Sequence, residues 1–230
     1  MTSKDVCTLL SKISEDSIKI LDNSILSTEY IKIDLSELNQ ELKKIDISSS
    51  NSLSKYIDSY LSKGKAKVAY GGYLEKRNLY NRSKHFSKAN EEDKRNIHLG
   101  LDFWANEGTL VIVPFNGEIH SFNNNTNYGD YGPTIVLKHY FEKIVFYTLY
   151  GHLSLKSILN LKVGTKLKQG DVLGYLGSSY ENGDYPPHLH FQIILDLQNY
   201  CGDYPGVSNI NDLSFYKDNC PDPNCVLRIY

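Results

Sequence analysis

The stretch Pro187-His188-Leu189-His190-Phe191-Gln192-Ile193-Ile194-Leu195 decides how the rest of the chain is read. On an extended strand, side chains two apart share a face. His188 and His190 therefore project together, while Leu189, Phe191 and Ile193 form an apolar floor on the other side. A second stretch, Asn96-Ile97-His98-Leu99-Gly100-Leu101-Asp102-Phe103, repeats the device. His98, Gly100 and Asp102 share one face, Ile97, Leu99, Leu101 and Phe103 the other, and Gly100 leaves space between imidazole and carboxylate. Two His and one Asp make a chemically sensible set of three protein ligands for zinc, whose catalytic sites keep a further position for water.

The 230 residues suit one ordinary domain with an appendage, or two small ones. With 25 basic against 27 acidic residues the net charge is -2, so no field selects nucleic acid or an anionic membrane. Met1 to Cys7 lacks the basic start and the run of about 7 to 15 apolar residues of a secretory signal, and no stretch approaches the roughly 18 apolar residues of a spanning helix. The expectation is a chain without membrane insertion, cytoplasmic as written or exported by a route not readable from sequence, of undetermined oligomeric state. Cys7, Cys201, Cys220 and Cys225 are too few and too uneven for a disulfide framework, and Cys220 and Cys225 have no second pair to complete a zinc knuckle.

Residues 1–63 contain no Gly and no Pro. Leu9, Leu10 and Ile13, then Ile18 and Leu21, fall near helical spacing. Leu53, Ile57, Tyr60 and Leu61 do so more cleanly behind the cap-like Ser50 to Ser52. The spacing predicts two or three short amphipathic helices that pack on the following domain or shield its groove. Tyr70 to Arg82 is dense in aromatic and charged residues, either beside a site or a solvated connection. From residue 97 onward, Leu110 to Pro114, Gly117 to Phe122, Thr134 to Tyr140 and Ile144 to Tyr150 read as short strands separated by Gly and Asn turns. Leu161 to Gly174 has the pattern of a tight hairpin found in lipoyl-like modules, without the flanked Lys that a carrier needs. The fold expected is mainly β: an antiparallel, sandwich-like sheet over residues 64–230 with a short helical N-terminal extension over 1–63.

Tyr150-Gly151-His152-Leu153-Ser154 adds a further His at a strand end. Together, His98-x-x-x-Asp102, Gly151-His152-Leu153-Ser154 and His188-x-His190-Phe191 resemble the lysostaphin and LytM type of zinc metallopeptidase over roughly residues 95–196. The resemblance implies that His98, Asp102 and His190 hold one Zn2+ per chain and that His152 and His188 are unligated catalytic histidines. It implies peptide-bond hydrolysis in peptidoglycan stem or cross-bridge peptides, by endopeptidase or carboxypeptidase action. The other reading is a non-catalytic module that binds or regulates through the same groove. Since ligand histidines must be neutral, zinc and activity are expected to be lost below about pH 6. The Gly-, Asn- and Tyr-rich segments Asn123 to Gly132 and Gly177 to Pro187 could wall a groove, with Tyr128, Tyr131 and Tyr185 as candidate substrate contacts. His85, His120 and His139 are read as structural.

Overall fold

The structure, a computed structural model, describes residues 3–12, 17–83 and 90–230. Ile13 and His85 lie outside the described residues. Its frame is one eight-stranded sheet. In chain order, β1 is Tyr30–Lys32, β2 Val68–Gly71, β3 Ile97–His98, β4 Leu101–Trp104, β5 Leu110–Ile112 and β6 Gly117–Asn125. They are followed by β7 Gly132–Phe141, β8 Ile144–Gly151, β9 Lys166–Leu167, β10 Val172–Tyr175, β11 His188–Ile194 and β12 Val207–Ser208. The large sheet runs β1-β2-β4-β11-β8-β7-β6-β9, and β10 with β5 and β12 with β3 form two small ladders. All pairs are antiparallel except β1 with β2.

Strand β11 lies between β4 and β8 and is buried along its whole length. Its text nevertheless alternates polar with apolar from His188 to Ile193, so one of its two covered faces is apolar and the other carries the site. Leu189, Phe191 and Ile193 join Leu101, Phe103 and Tyr150 in the main core. The opposite face carries His188, His190 and Gln192, also buried.

The N-terminal segment differs from a purely helical extension. Helix α1 (Ser3–Leu10) and helix α2 (Ser50–Gly64) form, but residues 17–20 carry no regular structure and Leu21 bridges Val111. Ile18, Ile20 and Leu21 are buried in the main core, so their spacing reflects inward packing of an irregular segment. Helix α2 is capped by Ser49, one residue before the expected cap, whose side-chain oxygen accepts the Ser52 amide. It seats Leu53 and Ile57 against Ala69 and Trp104. Strand β1 extends the sheet beside β2. The extension thus packs on the sheet and meets the Gly177 to Pro187 loop, where the Ser50 hydroxyl donates to Asp184 Oδ1 at 2.7 Å.

Three other expectations change. The stretch 96–103 is not one strand: β3 pairs with β12, and the chain breaks at Leu99 and Gly100 before β4 enters the large sheet. The segment from Gly164 to Gly174 is not a hairpin, because β9 pairs with β6 and β10 with β5. Asn123 to Asn125 belong to β6, opposite Thr134 to Gly132, so the loop there is shorter. Two short helices, α3 (Leu213–Asn219) and α4 (Asn224–Leu227), close the chain. No helix among the described residues is long and apolar enough to cross a membrane.

His139 sits in the sheet far from the other imidazoles in sequence, 1% exposed. Its Nδ1–H donates to the Asn116 carbonyl at 2.9 Å, and Nε2 lies 2.7 Å from the Thr148 hydroxyl. Burial pushes its pKa down to about 4. An imidazole whose folded value lies below the unfolded value of about 6.5 leaves the unfolded chain holding more protons between those limits. Stability is therefore full above about pH 6.5 and falls as pH drops toward 4. For a shift of this size the full loss is about 3 kcal/mol. Urea midpoints measured from pH 7 to 4.5 should fall, and more shallowly in His139→Phe than in the parent chain; equal slopes would remove His139 as a contributor.

Candidate active site

The β4–β11 register sets Asp102 directly opposite His190 and Trp104 opposite His188. His98 reaches the same point from β3. The three donor atoms converge: His98 Nε2 lies 2.8 Å from His190 Nδ1, and Asp102 Oδ1 lies 3.2 Å from each. Gly100 is required by this approach. A Cβ there would stand 2.6 Å from His190 Cε1 and Nε2, so the space the sequence suggested is filled by the His190 ring.

The outer atoms of each ring settle which nitrogen carries the proton. His98 Nδ1 lies 3.0 Å from the Gly72 carbonyl, an obligate acceptor, so Nδ1 is protonated and Nε2 presents its lone pair. Gln192 spends its amide N–H groups on the Pro205 carbonyl and Cys220 sulfur. Its Oε1 therefore accepts from His190 Nε2 at 2.9 Å, which leaves the His190 lone pair on Nδ1. Two lone pairs thus face each other at 2.8 Å beside a carboxylate oxygen. This arrangement is repulsive unless something electropositive lies among the three atoms. Ligands of a tetrahedral zinc at about 2.0–2.1 Å sit about 3.4 Å apart, close to the two 3.2 Å spacings to Asp102, while the two imidazole nitrogens at 2.8 Å would separate by about half an ångström to admit the ion. The donor set fits a divalent cation.

His152 and His188 stand beside this cluster. His152 directly follows β8 with φ of 63°, an uncommon left-handed conformation that turns the chain out of the strand. Its Nδ1–H donates to the Asn182 carbonyl at 2.7 Å, and that of His188 to the Pro186 carbonyl at 2.8 Å. Both therefore present Nε2 as the basic nitrogen. Their ring centroids are 4.1 Å apart, and His188 stacks on Trp104 at 3.9 Å and 15°.

Burial makes the rings of His98, His152 and His188 reluctant to protonate. It pushes His98 and His188 down to about 4 and, with the neighbouring His188, holds His152 well below the ordinary imidazole range. The neutral forms persist to more acidic pH than the threshold near 6 expected from an ordinary imidazole. Burial opposes ionisation of Asp102, but His98 and Arg77 outweigh it and hold its carboxyl well below the usual range.

The site opens into a cavity of about 200 Å³ to which no residue before Arg77 contributes lining. All five residues singled out from the sequence, His98, Asp102, His152, His188 and His190, line it. Of the tyrosines, Tyr131 and Tyr185 line it too, but both are buried and already engaged. Tyr131 places its hydroxyl 3.3 Å from His190 Nε2, and Tyr185 donates to the Gly129 carbonyl. Tyr128 is 52% exposed and lies outside the lining, beside Arg82. Neither His120 nor His139 belongs to the donor cluster or lines the cavity.

Sequence reasoning missed Gln192, Trp104 and Arg77. The first two had a signal, since each follows a site residue by two and so shares its face. Arg77 had none beyond the dense charge of its segment.

Residues 96–200 match peptidase family M23. The chain is 30% identical over 141 residues to Endolysin 2638A of Staphylococcus phage 2638A, covering 58% of this chain and 27% of that protein. It is 40% identical over 96 residues to the glycyl-glycine endopeptidase ALE-1 of Staphylococcus capitis, covering 41% and 24%. The chain thus spans about a quarter of the length of the curated relatives it matches. Among solved structures, the catalytic domain of lysostaphin from Staphylococcus simulans is similar at 27% identity and a TM-score of 0.36, over 53% of this chain and 80% of that one.

Removing a hydrogen-bond partner of a metal-binding imidazole typically costs 10–100-fold in affinity. Gln192→Leu should therefore weaken zinc binding by about that factor, and Gly100→Ala should do so at least as strongly, as read by competition with a chromophoric chelator. Parent-like affinity in both folded variants would contradict the assignment of His190 as a donor.

Proposed function

We propose, from the premise that residues 96–200 form a peptidase family M23 domain of the lysostaphin and LytM type, that this chain hydrolyses peptide bonds of peptidoglycan as a zinc-dependent endopeptidase. The observation that carries the reading is the convergence of three lone-pair donors whose outer atoms are already committed, beside two imidazoles with basic nitrogens left over. Endopeptidase action on stem or cross-bridge peptides is favoured by the glycyl-glycine endopeptidase relative.

Zinc bound by His98, Asp102 and His190 would supply a Lewis acid and a water activated at neutral pH. The chain's own residues then do the proton work. His152 or His188, neutral and presenting Nε2, accepts the proton of the attacking water and returns it to the departing amine. Burial, which makes each imidazolium strongly acidic, speeds that return. The rings lie so close that protonation of one opposes protonation of the other, so the pair carries one proton at a time. The imidazolium also faces the charge that grows on the carbonyl oxygen. Trp104 fixes the His188 ring by stacking, and the Asn182 and Pro186 carbonyls stop either ring from flipping its tautomer.

His152→Ala and His188→Ala should each retain zinc near one per chain while cleavage of peptidoglycan falls by about 10²–10⁴-fold. Mass spectrometry of digests from peptidoglycans of different cross-link chemistry identifies the bond. Stoichiometric zinc with no turnover by the parent chain on any of them would leave the site as a binding module.

A further inference from the structure

Arg77 is 1% exposed and lies directly behind the donor cluster. Its Nη1 donates to Asp102 Oδ2 at 2.5 Å and its Nε to Glu75 Oε2 at 2.6 Å. Glu75 Oε1 in turn accepts the Leu35 amide at 3.1 Å, which ties the arrangement to the N-terminal segment. Nη2 is buried without a hydrogen-bond partner. Gly72 makes room for it, since a Cβ there would meet Nη2 at 2.1 Å. Gathering a guanidinium, a buried carboxylate and a partly buried one, with one N–H group unmet, stabilises a fold no better than apolar side chains of the same volume. The cluster therefore calls for a role other than stability.

The geometry points to Arg77 as a positioning residue that makes Asp102 a one-oxygen ligand. The guanidinium occupies Oδ2, and only Oδ1 faces His98 and His190, at 3.2 Å from each. This rests on the metal-site reading proposed above. A carboxylate free of Arg77 could swing and offer both oxygens, which raises the coordination number of a bound cation and donates more charge to it. Arg77 prevents the swing and draws charge away from the carboxylate. Glu75 holds the guanidinium plane at the angle this needs. Lysine does not substitute, because a point charge cannot occupy Oδ2 and Glu75 together in a fixed plane.

The test uses the full chain, Arg77→Lys, and the double variant Arg77→Met/Glu75→Met, in which Glu75 is not left unpaired and the Asp102 carboxylate faces the cation and the two imidazoles alone. Each is checked for folding by circular dichroism and titrated with Co2+ while visible absorption is read, then with Zn2+ against a chelator. The expected result for the double variant is a weaker Co2+ band of changed shape, as for a higher coordination number, with zinc bound at least as tightly as by the parent. Peptidase kcat should fall about tenfold or more with KM within about twofold. Arg77→Lys should shift in the same direction, and it decides the matter if the double variant does not fold. A folded variant with the parent's Co2+ spectrum overturns the inference even if kcat falls. A parent chain that takes up neither cation would instead sink the metal reading itself, so the two failures are distinguishable.

Discussion

The pairing of β4 with β11 in a single register is the constraint on which the rest of the site depends. It puts Asp102 across from His190 and Trp104 across from His188, so one ladder delivers both a donor pair and a braced imidazole. Side chains directly opposite on antiparallel strands have Cβ atoms about 4.5–5.5 Å apart, close enough for their tips to meet at one point. A slip of one residue would send both histidines into the hydrocarbon below and bring Leu189 and Phe191 up in their place. The buried floor of Leu101, Phe103, Leu189 and Phe191 makes that slip prohibitive. The core therefore specifies the chemistry, and it does so through alternation alone.

Around that pair, each ring nitrogen facing away from the centre is assigned to an acceptor. Gly72, Asn182 and Pro186 offer main-chain carbonyls and Gln192 a side-chain one. These come from three places, the turn after β2, the loop before β11 and β11 itself, so the surrounding fold determines where four lone pairs point. The strained turn at His152 belongs to the same logic, since a regular continuation of β8 would carry its ring elsewhere.

The donor set was legible in the sequence through the shared face of His188 and His190 and the short spacing from His98 to Asp102, although the last two stand on separate strands, β3 and β4. The strands from Leu110 to Tyr150 were legible between their Gly and Asn turns. What escaped was whatever depended on contacts between distant segments. Ile18 and Leu21 have helical spacing yet pack as irregular chain, because the core around Val111 and Val113 accepts them directly. The Gly164 to Gly174 segment looks like a hairpin locally, but its two short strands find better partners in β6 and β5. Tyr131 reads as a groove residue by its loop composition, although its hydroxyl is directed at the back of His190. Arg77 has no neighbour in sequence that predicts Asp102, and Glu75 alone hints at a partner.

Helix α1 and helix α4 pack on one another, with Val6 and Leu10 in the same core as Val226 and Leu227. Ile18 donates to the Leu227 carbonyl, and Arg228 reaches the Ser11 carbonyl across 217 residues. On a ribosome adding about 5–20 residues per second, the first helix waits about 10 to 40 s for its mate to emerge. Its apolar stripe must remain uncovered, or be sheltered by a chaperone, throughout that interval. Closure of this seam is consequently a late event, which cannot precede synthesis of the segment around Leu227.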